Sequence, residues 1–202
     1  MSRFPRDFFA RDTLQVARDL LGRVLVRVLD GERLSGRIVE VEAYIGEDDL
    51  ASHARFGRTP RNEAMYGPPG HAYVYQIYGL HHCLNIVTGP EGFPAAVLIR
   101  ALEPLEGLER MRERRGVADP TLLTSGPARL CQAMGIDRRL DKADMCALDA
   151  ALFVEAGVPV PDEQMATGPR VGVQGDQRAR TAPWRFCLRG HPCVSRPRTR
   201  DY

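Results

Sequence analysis

Lysine is almost missing from this chain. Of its 28 basic residues only Lys142 is lysine, and the rest are arginine. Chemistry that relies on a lysine amine as nucleophile therefore has a single candidate. A GC-rich genome explains the bias as readily as selection for phosphate contacts does. Also absent is any run of about 18 apolar residues, so no membrane span is expected. The first residues, MSRFPRDFFARD, are charged and lack the apolar core of a secretion signal, which points to the cytoplasm. The five cysteines, at 83, 131, 146, 187 and 193, are odd in number and have no CxxC spacing. They read as reduced thiols, mostly buried. There is no HExxH, no paired CxxC and no His-x-Glu with a later cysteine pair, which leaves no recognisable metal site. Without a Walker loop, a GxGxxG after a strand or a GxSxG, nucleotide, dinucleotide and esterase chemistry lack support.

What is present describes a soluble globular protein, 44% hydrophobic and 27% charged over 202 residues. That length suits one domain with a sizeable core, and a net charge of +2 does not announce nucleic acid. RDTLQVARDLLG reads as a helix capped by Asp12 and stopped by Gly22. Two strands flank Asp30-Gly31, a strong hairpin signal. Residues 71–78 and 80–88 form a second strand pair, and 95–102 an apolar strand. PLEGLERMRERRG and SGPARLCQAMG are helices ending at Gly116 and Gly135, and 141–150 reads as a short helix. Strands return near RVGV and WRFCLRG. Strands and helices do not alternate regularly, so the fold is expected to be α+β rather than doubly wound. No linker divides the chain, which is read as one domain over 1–202 with a loose tail at 196–202.

Four stretches invite chemistry. In GRIVEVEAYIG, strand alternation puts Glu40, Glu42 and Tyr44 on one face with Ile38, and Val39, Val41, Ala43 and Ile45 on the other. An exposed sheet face is the ordinary explanation for the two glutamates; a cleft, where an isolated carboxylate acts as general base, is the alternative. Arg100 interrupts the apolar strand AAVLIRAL. It either reaches out to solvent or pairs with an acid, and Glu42 is a candidate partner. The loop ASHARFGRTPRNEAMYGPPG carries His53, Arg55, Arg58 and Arg61, where arginines suit phosphates but are equally at home in water. Finally, AYVYQIYGLHHCLN holds Tyr73, Tyr75 and Tyr78, half of the six tyrosines, and the last stands beside the turn residue Gly79. Core packing accounts for the first two. It does not account for a large ring at a hairpin tip.

Taken together, GRIVEVEAYIGEDDLASHA, TPRNEAMY, YVYQIYG, CLNIV, VLIRALEPLEG, SGPARLCQAMGI and RVGV resemble, in order, the alkyladenine (3-methyladenine) DNA glycosylase family. The resemblance covers nearly the whole chain. It implies a curved, mostly antiparallel sheet flanked by helices, with a protruding β-hairpin. It implies an enzyme that extrudes a damaged purine from duplex DNA and cuts its N-glycosidic bond. Glu42 matches the carboxylate that deprotonates a water, and Arg100 the residue that helps hold both. Tyr44, His53 and Tyr75 match the rings that sandwich the base. The His53 backbone N–H matches a contact to the purine 6-position, and Asn85 matches the group that crowds the 2-amino group of guanine. Tyr78 matches the side chain wedged into the gap left by the extruded nucleotide. Leu80 and His81 beside it, with Arg58 and Arg61, are further candidate DNA contacts. His81 departs from the family's Tyr-Gly-Met-Tyr pattern and puts stacking at that edge in doubt.

The resemblance further implies 3-methyladenine and 7-methylguanine as substrates, with hypoxanthine and ethenoadenine as further candidates. It implies no cofactor, no metal, no membrane and no obligate protein partner; the partner is double-stranded DNA containing damaged purines, met at the nucleoid. With one lysine, far from these motifs, water is the expected nucleophile, and the abasic site is left uncut. Three rivals stay open: a module that binds lesions without cutting, a relative acting on RNA or free nucleosides, and a purely structural α+β protein.

Overall fold

The computed structural model describes residues 3–195; the tail expected to be loose, 196–202, lies outside them. Local signals set the first elements. Asp30 and Gly31 both take positive φ, 53° and 79°, and turn β1 (Val24–Leu29) directly into β2 (Glu32–Ile45). Six further strands follow: β3 (Ala72–Ile77), β4 (His81–Val87), β5 (Ala95–Glu106), β6 (Leu152–Glu155), β7 (Met165–Gly168) and β8 (Arg185–Leu188). They form one eight-stranded sheet in the order β3-β4-β5-β2-β1-β6, with β8 joining β2 and β7 joining β8. Every pairing is antiparallel. The long β2 is shared: β5 lies along one edge, while β1 and then β8 take the other.

Helices are α1 (Arg6–Phe9), α2 (Thr13–Leu20), α3 (Leu108–Arg115), α4 (Pro120–Leu123), α5 (Pro127–Met134) and α6 (Gln177–Thr181). Asp12 caps α2 by accepting from the Gln15 N–H at 3.0 Å, a contact worth about 1 kcal/mol. The apolar stripes of α2 (Val16, Ala17, Leu20) and α5 (Leu130, Ala133, Met134) are buried in the main core with Val41, Ile86 and Ile99 of the sheet. Gly135 ends α5 at φ 63°, where a Cβ would meet a Leu29 methyl at 2.8 Å. A smaller core of Ala54, Met65, Tyr66, Tyr73, Val87 and Ala96 lies under the loop that follows β2, with Tyr44 and Tyr75 packed against it. This second core positions the site. Among the described residues no helix is long and apolar enough to cross a membrane.

Four expectations are corrected. Residues 141–150 are turns, not a helix, because the Asp141 and Asp144 carboxylates bond backbone N–H groups of Val74 and Cys146 instead. RVGV, 170–173, is loop; the strand before it ends at Gly168. The strand expected over 95–102 continues to Glu106, so α3 begins only after Gly107, whose φ is 77°. The fourth concerns Glu40 and Glu42. Neither lies on an exposed face: both are 0% exposed.

Candidate active site

Glu40 and Glu42 lie opposite the core residues Val41 and Ala43 and are covered by Arg185, Val171 and Ser195, and the β2–β5 ladder is irregular beside them. Ile38 pairs with Leu102 and Glu40 with Ala101, which leaves Val39 as an extra residue on β2. Glu40 then pairs with Ala101 and Val41 with Ile99, which leaves Arg100 extra on β5. Bulges of this kind re-aim side chains. Val39 leaves the main core for a small cluster with Ala101, Leu188 and Cys193, and Arg100 meets both carboxylates. Its Nε donates to Glu40 Oε1 at 3.1 Å, its Nη1 stands 3.3 Å from Glu42 Oε1, and its Nη2 donates to Ser195 Oγ at 3.2 Å.

The two carboxylates are satisfied differently. Glu40 also accepts from Arg185 Nε at 2.6 Å and from the Ser195 N–H at 2.7 Å, so it belongs to the scaffold. Glu42 accepts from the Val171 N–H at 2.7 Å and the Tyr44 hydroxyl at 2.8 Å. Burial would lower the Arg100 pKa, but the Glu42 and Glu40 charges outweigh it and raise it. Burial, then the Glu42 charge, pushes Tyr44 well above its usual value and keeps its hydroxyl a donor. The expected Arg100–Glu42 pairing is present. The Glu40 contact was not expected.

In front of this cluster lies a cavity of about 510 Å³. Tyr44, His53, Tyr75, Asn85, Arg100 and Arg61 all line it. Glu42 sits directly behind the wall made by Tyr44, Arg100 and Val171. His53 approaches Tyr75 edge to face, with ring centroids 4.4 Å apart and planes at 78°, and its Nδ1 is 2.7 Å from the Tyr73 hydroxyl. Burial, followed by the charges of Arg61 and Arg55, holds the His53 pKa down to about 4, so the ring is neutral at neutral pH. Asn85 donates to the Tyr73 carbonyl across the β3–β4 hairpin at 3.1 Å, which fixes its side chain at the cavity wall. Buried Asn62 donates to the His53 and Gly57 carbonyls, both at 2.9 Å, and locks the loop that carries His53.

The remaining candidates lie elsewhere. Tyr78 stands at the tip of the β3–β4 hairpin with φ 50°, next to Gly79 at 69°. The Leu80 N–H closes the turn on the Ile77 carbonyl at 3.2 Å. Tyr78 is 90% and Leu80 79% exposed, so the tip presents two large apolar side chains to solvent. His81 is exposed at the first position of β4. Arg58 pairs with Glu63 at 3.2 Å, away from the cavity, beside Lys142, whose amine also holds Glu63 at 2.9 Å. Sequence reasoning gave Glu40 no role in the site and passed over Asn62, Asp49 and Arg170. The last two form a buried ion pair behind Tyr44. An isolated arginine in GPRVGV and an acid in GEDDLASHA were the signals available. Among the described residues no three His, Cys, Asp or Glu side chains gather as they would around a metal ion.

Comparison with known proteins bears on this geometry. A family model described as methylpurine-DNA glycosylase (MPG) matches residues 7–192. A protein of Methanocella arvoryzae named "Putative 3-methyladenine DNA glycosylase" is 53% identical over 193 residues, 95% of each chain. Proteins of the same name from Anaeromyxobacter dehalogenans and Streptomyces avermitilis are 53% and 51% identical. Those alignments cover 96% and 94% of this chain and 86% and 89% of the relatives.

Proposed function

The chain belongs to the methylpurine-DNA glycosylase family, and from that premise we propose how its residues remove a damaged purine from duplex DNA. It is a monofunctional 3-methyladenine DNA glycosylase of base excision repair. The extruded nucleotide enters the cavity walled by Tyr44, His53 and Tyr75, whose ring faces favour the positive charge of an alkylated purine. The observation that carries this reading is the pairing of Glu42 with Arg100 directly behind those rings.

A carboxylate offers about four lone pairs. The Tyr44 hydroxyl and the Val171 N–H occupy one on each oxygen of Glu42, and Arg100 stands beside Oε1. The remaining lone pair, on Oε2, takes the proton of the attacking water. The water oxygen bonds to C1′ as the glycosidic bond breaks, and the bond's electron pair leaves with the base. The sugar carries positive charge in this transition state, and Glu42 stabilises it. Asn85 crowds the 2-amino group of guanine, which rejects the abundant normal base. Tyr78 fills the gap in the duplex, with Leu80, His81, Arg58 and Arg61 as further contacts. Hypoxanthine and ethenoadenine join 3-methyladenine and 7-methylguanine as substrates.

Release of free bases from methylated duplex DNA, identified by mass, tests the reading. Glu42→Gln should lower release about 100- to 10,000-fold while leaving lesion binding intact. Equal release by both proteins would remove Glu42 from the mechanism. Tight binding of damaged duplex with no release by wild type would favour a lesion-binding module.

A further inference from the structure

Asp49 and Arg170 form an ion pair that the reaction, as described so far, does not use. Their side chains are 1% and 0% exposed. Arg170 Nη1 donates to Asp49 Oδ2 at 2.6 Å and Nη2 to Oδ1 at 2.7 Å, a two-pronged contact. The same nitrogens donate to the Ala43 and Ala179 carbonyls. The guanidinium carbon lies 4.6 Å from the Tyr44 ring centroid and 5.0 Å from that of Trp184. Tyr44 lines the cavity and Arg170 does not, so the cation sits against the ring face turned away from the base. Stability is a weak explanation for so dry a pair, because well-packed apolar residues of similar volume generally hold a fold as well.

We propose that Arg170 sets how strongly the pocket prefers cationic bases over neutral ones, acting through the Tyr44 ring, and that Asp49 limits the size of that effect. The proposal rests on Tyr44 being a wall of the base pocket. A ring attracts a cation through the negative charge of its face. A guanidinium already seated on one face draws on that charge and repels a second cation across the ring. Burial keeps this repulsion from being screened by salt. Asp49, in direct contact, offsets part of it. The outcome is a pocket that still accepts cationic purines but also admits neutral ones. Both residues also act as positioning groups. Asp49 accepts from the Ile45 and Ala51 N–H groups on the way to His53, and the residue after Arg170 donates its N–H to Glu42. The test must therefore read charge and not merely order.

The readout is the ratio of single-turnover excision rates for 7-methylguanine, cationic in DNA, and hypoxanthine, neutral, in otherwise identical duplexes. Asp49→Asn keeps the guanidinium but removes its counter-charge, and should lower the cationic-to-neutral ratio about threefold. Arg170→Gln placed in the Asp49→Asn protein removes both charges and should raise the ratio above wild type by a similar factor. Opposite movements are the signature. Loss of order alone would slow both substrates together and move the ratio in neither direction, which would overturn the proposal. If the double variant does not fold, Asp49→Asn alone decides, since an unchanged or raised ratio there contradicts it. Cleavage of the cationic base alone by all the proteins would overturn it as well. Wild-type excision of neither base would instead sink the glycosylase reading on which it stands.

Discussion

The floor of the cavity and the tip of the β3–β4 hairpin are built on opposite terms. At the floor Glu40, Glu42 and Arg100 are buried and held by neighbours from β2, β5, β8 and two loops. At the tip Tyr78 and Leu80 project into water, and the turn's own bonds hold the backbone. A carboxylate that must meet one atom of a bound nucleotide gains from being fixed in advance. A wedge has no partner until DNA arrives, so its shape and exposure matter more than its packing. The floor is therefore where the fold should be sensitive to substitution, and the tip is where binding should be.

The largest effect expected from this contrast is Arg100→Leu. It strands two buried carboxylates, and removing one partner from such a cluster costs about 3–5 kcal/mol. Urea unfolding of the variant should register that loss. A midpoint within error of wild type would mean that Arg185, Ser195, Tyr44 and Val171 suffice for the carboxylates without Arg100. The tip should respond the other way. Tyr78→Ala should leave the unfolding midpoint unchanged and weaken excision from duplex by about 1–3 kcal/mol, the usual worth of one ring–base stack, or roughly 5- to 150-fold. Single-stranded substrate, which needs no extrusion, should be cut at the wild-type rate. Equal loss on both substrates would place Tyr78 in the pocket's chemistry, and no loss on either would remove it from the wedge.

The same contrast separates what was legible in the sequence. Features set by local chemistry were plain: the Asp30-Gly31 turn, the Asp12 cap, the Gly135 stop and the exposed tyrosine beside Gly79. The Glu42–Arg100 pair was legible because a guanidinium inside an apolar strand needs a counter-charge. Glu40 was misjudged because alternation puts it on the face opposite Val41 and Ala43, as observed, but no local pattern shows that Arg185 and the backbone at Ser195 cover that face. Residues 141–150 carry helix-compatible apolar spacing, but Lys142 adopts φ 66° and the flanking aspartates bond to the backbone. Asp49 and Arg170 meet across 121 positions, and no local pattern joins them. Apart from the Glu42–Arg100 pair, interactions closed by the tertiary fold, rather than by neighbours in sequence, were the ones missed.

His53 stands between the two regions, on the cavity wall, and supplies the smallest effect. Its folded pKa is held down to about 4 from an ordinary 6.5, by burial first and then by Arg61 and Arg55. From pH 6.5 down to 4 the unfolded chain therefore takes up a proton that the folded chain refuses. The stability due to neutral His53 is fully present above pH 6.5 and is lost as pH falls toward 4. Part of the residue is open to solvent, so the effect should be a fraction of what the full shift implies. His53→Gln should make the fall in unfolding free energy shallower across that window and leave the pH 7 to 8 region flat, as followed by urea titration at several pH values. Other carboxylates titrate near the lower end in both proteins, so the difference between the two curves is the quantity to read. Parallel curves would mean that His53 accepts its proton in the folded state near its ordinary value. The pocket would then carry a positive charge at mildly acidic pH, where a cationic base is least welcome.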